Sequence, residues 1–174
     1  MISYFDLFPQ KAQSELRTVR FPPDLEDFPP GLFIFTEFYC PDLDCDCQRV
    51  LIKVLRDSGP DVEEVATINY CWQPDTDPLW ARLNAEQGNP FLDPLHPQAP
   101  YAGRLLDFWS QMVVGDRAYA ARLQRHYGEL REQAGVHSKT RASSPADEPP
   151  TTAAEKRATR ARRKKQAKSR ARRR

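Results

Sequence analysis

LFIFTEFYCPDLDCDCQRVLIKVLRDSGPDVEEVATINYCW, residues 32–72, carries the pattern from which the fold is read. LFIFTEFYC, following Gly31, is crowded with aromatic and β-branched residues, which suit a pleated, half-buried surface, and it predicts a first strand. CQRVLIKVLRD predicts a second strand, SGPD a turn punctuated by Gly59 and Pro60, and VEEVATINYCW a third. The expected core is a small three-stranded antiparallel meander. Alternation assigns its faces. Val50, Ile52 and Val54 share one side of the second strand, and Ala66, Ile68 and Tyr70 one side of the third. These apolar sets should face the core, since a one-residue slip would turn them to solvent. Phe33, Phe35 and Tyr39 form a row on the first strand. Such a row can stack single-stranded nucleic acid, but beside an apolar face core packing is the simpler account.

All four cysteines lie in this stretch: Cys40, Cys45, Cys47 and Cys71. The spacing is C-x4-C-x-C, then 23 residues, then C, which is not the common C-x2-C of zinc sites. The case for a metal therefore rests on where the hairpin brings the thiols. With the turn centred on Gly59, partner numbers sum to 118 and Cys47 faces Cys71. Directly opposed Cβ atoms stand about 4.5–5.5 Å apart. Cys40 ends the first strand and Cys45 sits on the short loop before Cys47. The expectation is one structural zinc ion held by four thiolates at about 2.3 Å. Asp42, Asp44 and Asp46 crowd the same loop; an ion would tie it down, and its binding energy would be partly folding energy.

Other readings compete. The cysteines can be isolated small apolar residues, or disulfides such as Cys47–Cys71 and Cys40–Cys45. Iron–sulfur binding lacks its usual spacings. Asp42, Asp44 and Asp46 match positions one, three and five of a calcium loop, but Cys47 stands where glycine is required and Lys53 where glutamate is. His96, in a proline-punctuated loop, is an alternative zinc ligand.

Outside this stretch, YFDLF reads as a single turn or strand, and KAQSELRTVRF as a strand or loose segment. FPPDLEDFPPG reads as an extended lead-in pinned by Phe21, Leu25 and Phe28. Asp77 should cap a short helix with Pro78 at its first position, running to Gly88. NPFLDPLHPQAP is irregular, anchored by Phe91, Leu92 and Leu95. AGRLLDFWSQMV places Leu105, Leu106, Trp109, Met112 and Val113 on one helical stripe. RAYAARLQRHYGELREQA predicts a second helix ending at a Gly135 cap. These C-terminal helices should cover the sheet in an α+β domain. Trp72, Trp80 and Trp109 read as core or half-buried anchors, and Glu37, Glu63 and Glu64 as solvated charges.

Charge divides the 174-residue chain, whose mean hydropathy is −0.71. Residues 1–137 carry 12 Lys+Arg and 21 Asp+Glu, a net of 12 − 21 = −9. Residues 138–174 carry 14 and 3, a net of 14 − 3 = +11. The reading is an α+β domain over 1–137, a Pro/Ser/Thr/Ala-rich linker over 138–155 and a disordered basic tail over 156–174. That tail has 12 Lys+Arg and no acid. Arg162, Arg163, Lys164, Lys165, Lys168, Arg170, Arg172, Arg173 and Arg174 are its candidate contacts to nucleic acid or ribonucleoprotein. The alternative is a tail serving solubility or intramolecular charge pairing, on a protein-interaction module.

No basic start followed by an apolar run opens the sequence, and no apolar stretch is long enough to span a bilayer. Cytoplasmic placement follows as an expectation, with reduced thiols. No membrane partner or small-molecule substrate is implied. HExxH, G-x-S-x-G and glycine-rich phosphate loops are all missing. The function expected is a non-enzymatic, zinc-stabilised small domain with a nucleic-acid-contacting arm. A thiol-dependent enzyme or redox protein is the rival.

Overall fold

The computed structural model describes residues 1–142 apart from Asp75, with side chains to Gly135. In chain order its elements are β1 (Ile2–Ser3), α1 (Tyr4–Leu7), α2 (Pro9–Ser14), β2 (Arg17–Phe21), β3 (Gly31–Tyr39), β4 (Arg49–Asp57) and β5 (Val62–Cys71). Then follow α3 (Pro78–Gln87), β6 (Phe91–Leu92), α4 (Ala102–Gly115) and α5 (Arg117–Ala142). Expectations for residues 143–155 of the linker and for the tail, 156–174, lie outside the described residues.

The three-stranded meander is corrected: the sheet has six antiparallel strands, in the order β1-β3-β4-β5-β6, with β2 also paired to β3. β1 and β2 share one edge of β3. Ile2 pairs with Tyr39 at one end, and Arg17–Phe21 run back along Phe35–Gly31 at the other. The physical reason for the error is length. β1 and β6 are two residues each, too short to show any period, and they exist only because β3 and β5 offer open ladder edges. Meeting three strands' worth of backbone polar groups at both edges also satisfies donors that a bare meander would leave to solvent.

Phe33, Phe35 and Tyr39 of β3, Val50, Ile52 and Val54 of β4, and Ala66 and Ile68 of β5 all point to one face and are fully buried. Leu105, Trp109 and Val113 of α4 and Tyr119, Leu123 and Leu130 of α5 close that face in one cluster. The Trp109 indole N–H donates to the Tyr119 hydroxyl at 3.0 Å, so the largest core side chain has its polar atom satisfied. The outer edge of β5 is bonded along its length by β6 and the segment after it. Asp93 N–H donates to Thr67 C=O and Ala99 N–H to Val65 C=O, both at 2.8 Å. Asn69 donates to the buried Asp93 carboxylate.

Local chemistry explains several boundaries. Asp77 accepts from the Leu79 and Trp80 amides, with Pro78 at the first position of α3, and Gly88 closes that helix at φ +92. Gly31 has φ +149, and a Cβ there would stand 2.9 Å from the Asp57 carbonyl; β3 and β4 can approach at that point only because the side chain is a hydrogen. Other expectations are corrected. Gly135 is no cap, since α5 continues through it to Ala142. Leu25 and Leu95 are exposed, whereas Phe28 does pin its segment by stacking on Phe21 at 4.2 Å. Among the described residues no helix is long and apolar enough to cross a membrane.

Candidate metal centre

β3 stops at Tyr39, where Cys40 and Pro41 leave the ladder, and β4 does not begin until Arg49. The loop between them is shaped locally by an Asp42 carboxylate that accepts the Asp44 amide at 3.0 Å. It curls back so that the ligand atoms of Cys40, Cys45 and Cys47 all lie within 4.8 Å of one another. Cys47 is buried and the other two are half-buried. The Cys47 amide donates to the Cys45 sulfur at 3.5 Å. No disulfide joins any of the four cysteines.

Thiolates about 2.3 Å from a zinc ion stand about 3.8 Å apart in a tetrahedron. The three sulfurs, within 4.8 Å of one another, stand at most about 1 Å wider than that spacing. The donor set is soft, and the three-cysteine group can coordinate a metal. The thiols are not equivalent. Hydrogen bonds from the Cys47 thiol and then the Cys47 amide hold Cys45 below the ordinary thiol value, whereas burial pushes Cys47 well above it.

Helix α5 holds this loop from outside. Arg131 Nη1 donates to the Asp42 carbonyl at 3.0 Å and to the Cys45 carbonyl at 2.6 Å, and its Nη2 donates to the Leu43 carbonyl at 2.7 Å. Tyr127, one turn earlier on the same face, donates its hydroxyl to the Cys47 carbonyl at 2.6 Å. Thr76 donates to the Asp46 carboxylate at 2.6 Å.

The register departs from the hairpin expectation. Cys71 pairs with Arg49, not Cys47, because partner numbers sum to 120 over Arg49–Val54 after an irregularity between Val54 and Leu55. The three cysteines of the β3–β4 loop come together; Cys71 stands at the end of β5, its amide donating to Asn89 Oδ1 at 3.0 Å. His96 is also elsewhere, its Nδ1 3.0 Å from Asp93. The basic-tail residues Arg162 to Arg174 lie outside the described residues.

A second polar cluster was not anticipated. Glu37, expected as a solvated charge, is buried on the core face of β3. Its carboxylate meets His126 Nδ1 at 2.6 Å and accepts the Tyr39 hydroxyl at 2.7 Å. His126 Nε2 meets Glu15 at 2.6 Å, and the ring stacks on Tyr4 at 3.9 Å. Both ring nitrogens of His126 thus meet a carboxylate oxygen. Arg125 and Lys11 bind the outer carboxylates, Glu15 and Glu129 respectively, each at 2.6 Å. Burial raises the Glu15 carboxyl, but the His126 hydrogen bond and charge, with Arg125 and Lys11, outweigh it and hold it low. Burial and the Glu37 carboxylate push the Tyr39 phenol up. The cavity beside this cluster, lined by Tyr4, Glu15, Thr36, Glu37 and His126 among others, is about 20 Å³, room for about one water molecule. The sequence signal for this cluster was a glutamate at an inward position of β3, between Phe35 and Tyr39, which the alternation rule marks as buried.

No family model, curated protein or solved structure matches this chain.

Proposed function

We propose that this protein is a small domain stabilised by a structural zinc ion on Cys40, Cys45 and Cys47, non-enzymatic, with a basic C-terminal arm that contacts nucleic-acid phosphates. The observation that carries the reading is the convergence of three thiols on one loop. Three thiolates beside Asp42, Asp44 and Asp46 concentrate negative charge, and a divalent ion offsets it. A reducing, cytoplasmic setting keeps these thiols available as ligands.

Metal analysis of the purified full chain tests the zinc. One zinc per chain is expected, lost in Cys47→Ser and Cys45→Ser. Cys71→Ser forms a separate arm of the experiment: loss of zinc there would make Cys71 the fourth ligand, and retention would leave three cysteines as the whole protein-derived set. The arm is tested by nucleic-acid binding against salt for the full chain and for a chain ending at Ala142. Engagement of ~8 charges on duplex DNA gives a log–log slope near −7. Equal binding by both chains would remove the arm from the account.

One observation favours thiol chemistry as a second reading: the Cys47 amide donates to the Cys45 sulfur at 3.5 Å, and a hydrogen bond to sulfur favours the thiolate, which is the reactive form. Rapid alkylation of Cys45 alone in a chain that is metal-free as purified supports that reading; slow alkylation that a chelator accelerates supports zinc.

A further inference from the structure

We propose that Arg131 and Tyr127 are the positioning residues of the thiolate site, setting the 40–48 loop in its ligating shape from helix α5. The inference rests on the zinc reading and adds which residues outside the ligand set control affinity.

The loop has no ladder of its own between Tyr39 and Arg49. Its backbone oxygens need partners, and four of them, from Asp42, Leu43, Cys45 and Cys47, converge on two α5 side chains. Two of the four belong to thiol-bearing residues. The clamp therefore acts on the peptide planes that aim Cys45 and Cys47. The two side chains are themselves joined: Arg131 Nη1 donates to the Tyr127 hydroxyl at 2.9 Å, and the guanidinium lies 5.3 Å from the Tyr127 ring centroid. A planar fork can serve carbonyls lying in several directions at once, which a lysine ammonium on a flexible stem cannot do. Arg131 also brings a fixed positive charge to the acidic loop without occupying a thiol, so it leaves the sulfurs available to the ion.

Outer contacts of this kind orient metal ligands, and their loss typically costs roughly 10–100-fold in metal affinity. The experiment uses the full chain, loaded with zinc or with cobalt(II), in competition with a chromophoric chelator. Arg131→Met and Arg131→Lys are both expected to weaken zinc binding by roughly 10–100-fold. Tyr127→Phe should weaken it less, since it deletes a single carbonyl contact. The thiolate-to-cobalt absorption band should shift or weaken in the Arg131 variants, which loss of fold stability alone would not produce in a chain still folded by circular dichroism. Glu132→Ala, on an exposed neighbour in α5, is the control and should match wild type. Wild-type affinity and an unchanged cobalt spectrum in Arg131→Lys would overturn the fork as the positioning device. A wild-type chain that takes up neither metal would overturn the zinc reading first, and the positioning role with it.

Discussion

Two polar centres sit on the same helix and are built on opposite principles. At His126 the charges are already matched. Glu37 and Glu15 flank the imidazole, Arg125 and Lys11 meet the outer carboxylates, and Arg122 lies 3.5 Å from Glu37. At the thiol loop, five residues on, α5 offers Arg131 to the backbone carbonyls, while the three sulfurs face one another. The first centre is finished by the protein alone. The second has its frame finished and its ligands aimed inward, which is the arrangement an ion completes. The lesson is that burial of charge by itself does not mark a binding site. What distinguishes the loop is that the polar atoms converge on one another and not on partners.

The largest expected effect breaks the first centre. His126→Ala takes the 2.6 Å partner from the buried Glu37 carboxylate and should cost about 3–5 kcal/mol in denaturant unfolding. A cost under 1 kcal/mol would show that the centre carries no charge pairing. The same centre has a pH signature. Glu15 and Glu129 are held below the ordinary value of 4.5, in each case against burial, by His126 and by Lys11 respectively. Groups lowered on folding contribute stability above their unfolded value, and that contribution is lost as pH falls below 4.5 through the lowered values. Unfolding followed from pH 7 to 3 should show this loss, and it should shrink in His126→Ala.

The second centre should respond to zinc, not to His126. Free zinc at about 100 times its dissociation constant adds about 2.7 kcal/mol, read as a rise in melting temperature that Cys47→Ser abolishes. A Gly31→Ala change lies away from both centres, where β3 meets β4, and should cost about 1–3 kcal/mol through backbone strain while leaving zinc affinity alone. The smallest effect is a gain. Gly128 lies inside α5, and a Cβ there meets nothing within 4 Å. Gly128→Ala should stabilise the helix by up to about 1 kcal/mol, measured by thermal unfolding. If that stiffening also tightens zinc, the two centres are coupled through α5.

Much of the central sheet could be read in advance because its strands are long and their inward positions apolar. Val50, Ile52 and Val54 needed only the period of two. The α3 start was legible because Asp77 and Pro78 act within one turn. What could not be read depended on partners distant in sequence. β2 forms where Thr18 and Val19 lie along Ile34 and Phe33, and nothing in RTVRF states that. The cysteine register failed by two residues for a local reason. The reversal runs from Ser58 to Asp61, whose carbonyl accepts the Ser58 amide at 3.0 Å, and the irregularity after Val54 adds the rest. A turn centre chosen from glycine alone cannot supply either. Three cysteines close in sequence meet because a loop is short; the fourth depended on counting across a bulge.

Helix α5 works as a ruler between the two centres. One inserted residue between His126 and Arg131 would turn everything beyond it by about 100°. Either the imidazole would keep its place among the glutamates or the guanidinium would keep its grip on the loop, but a single rigid rod could not do both. The interval between those two side chains is therefore under stricter geometric control than the identity of the exposed residues within it.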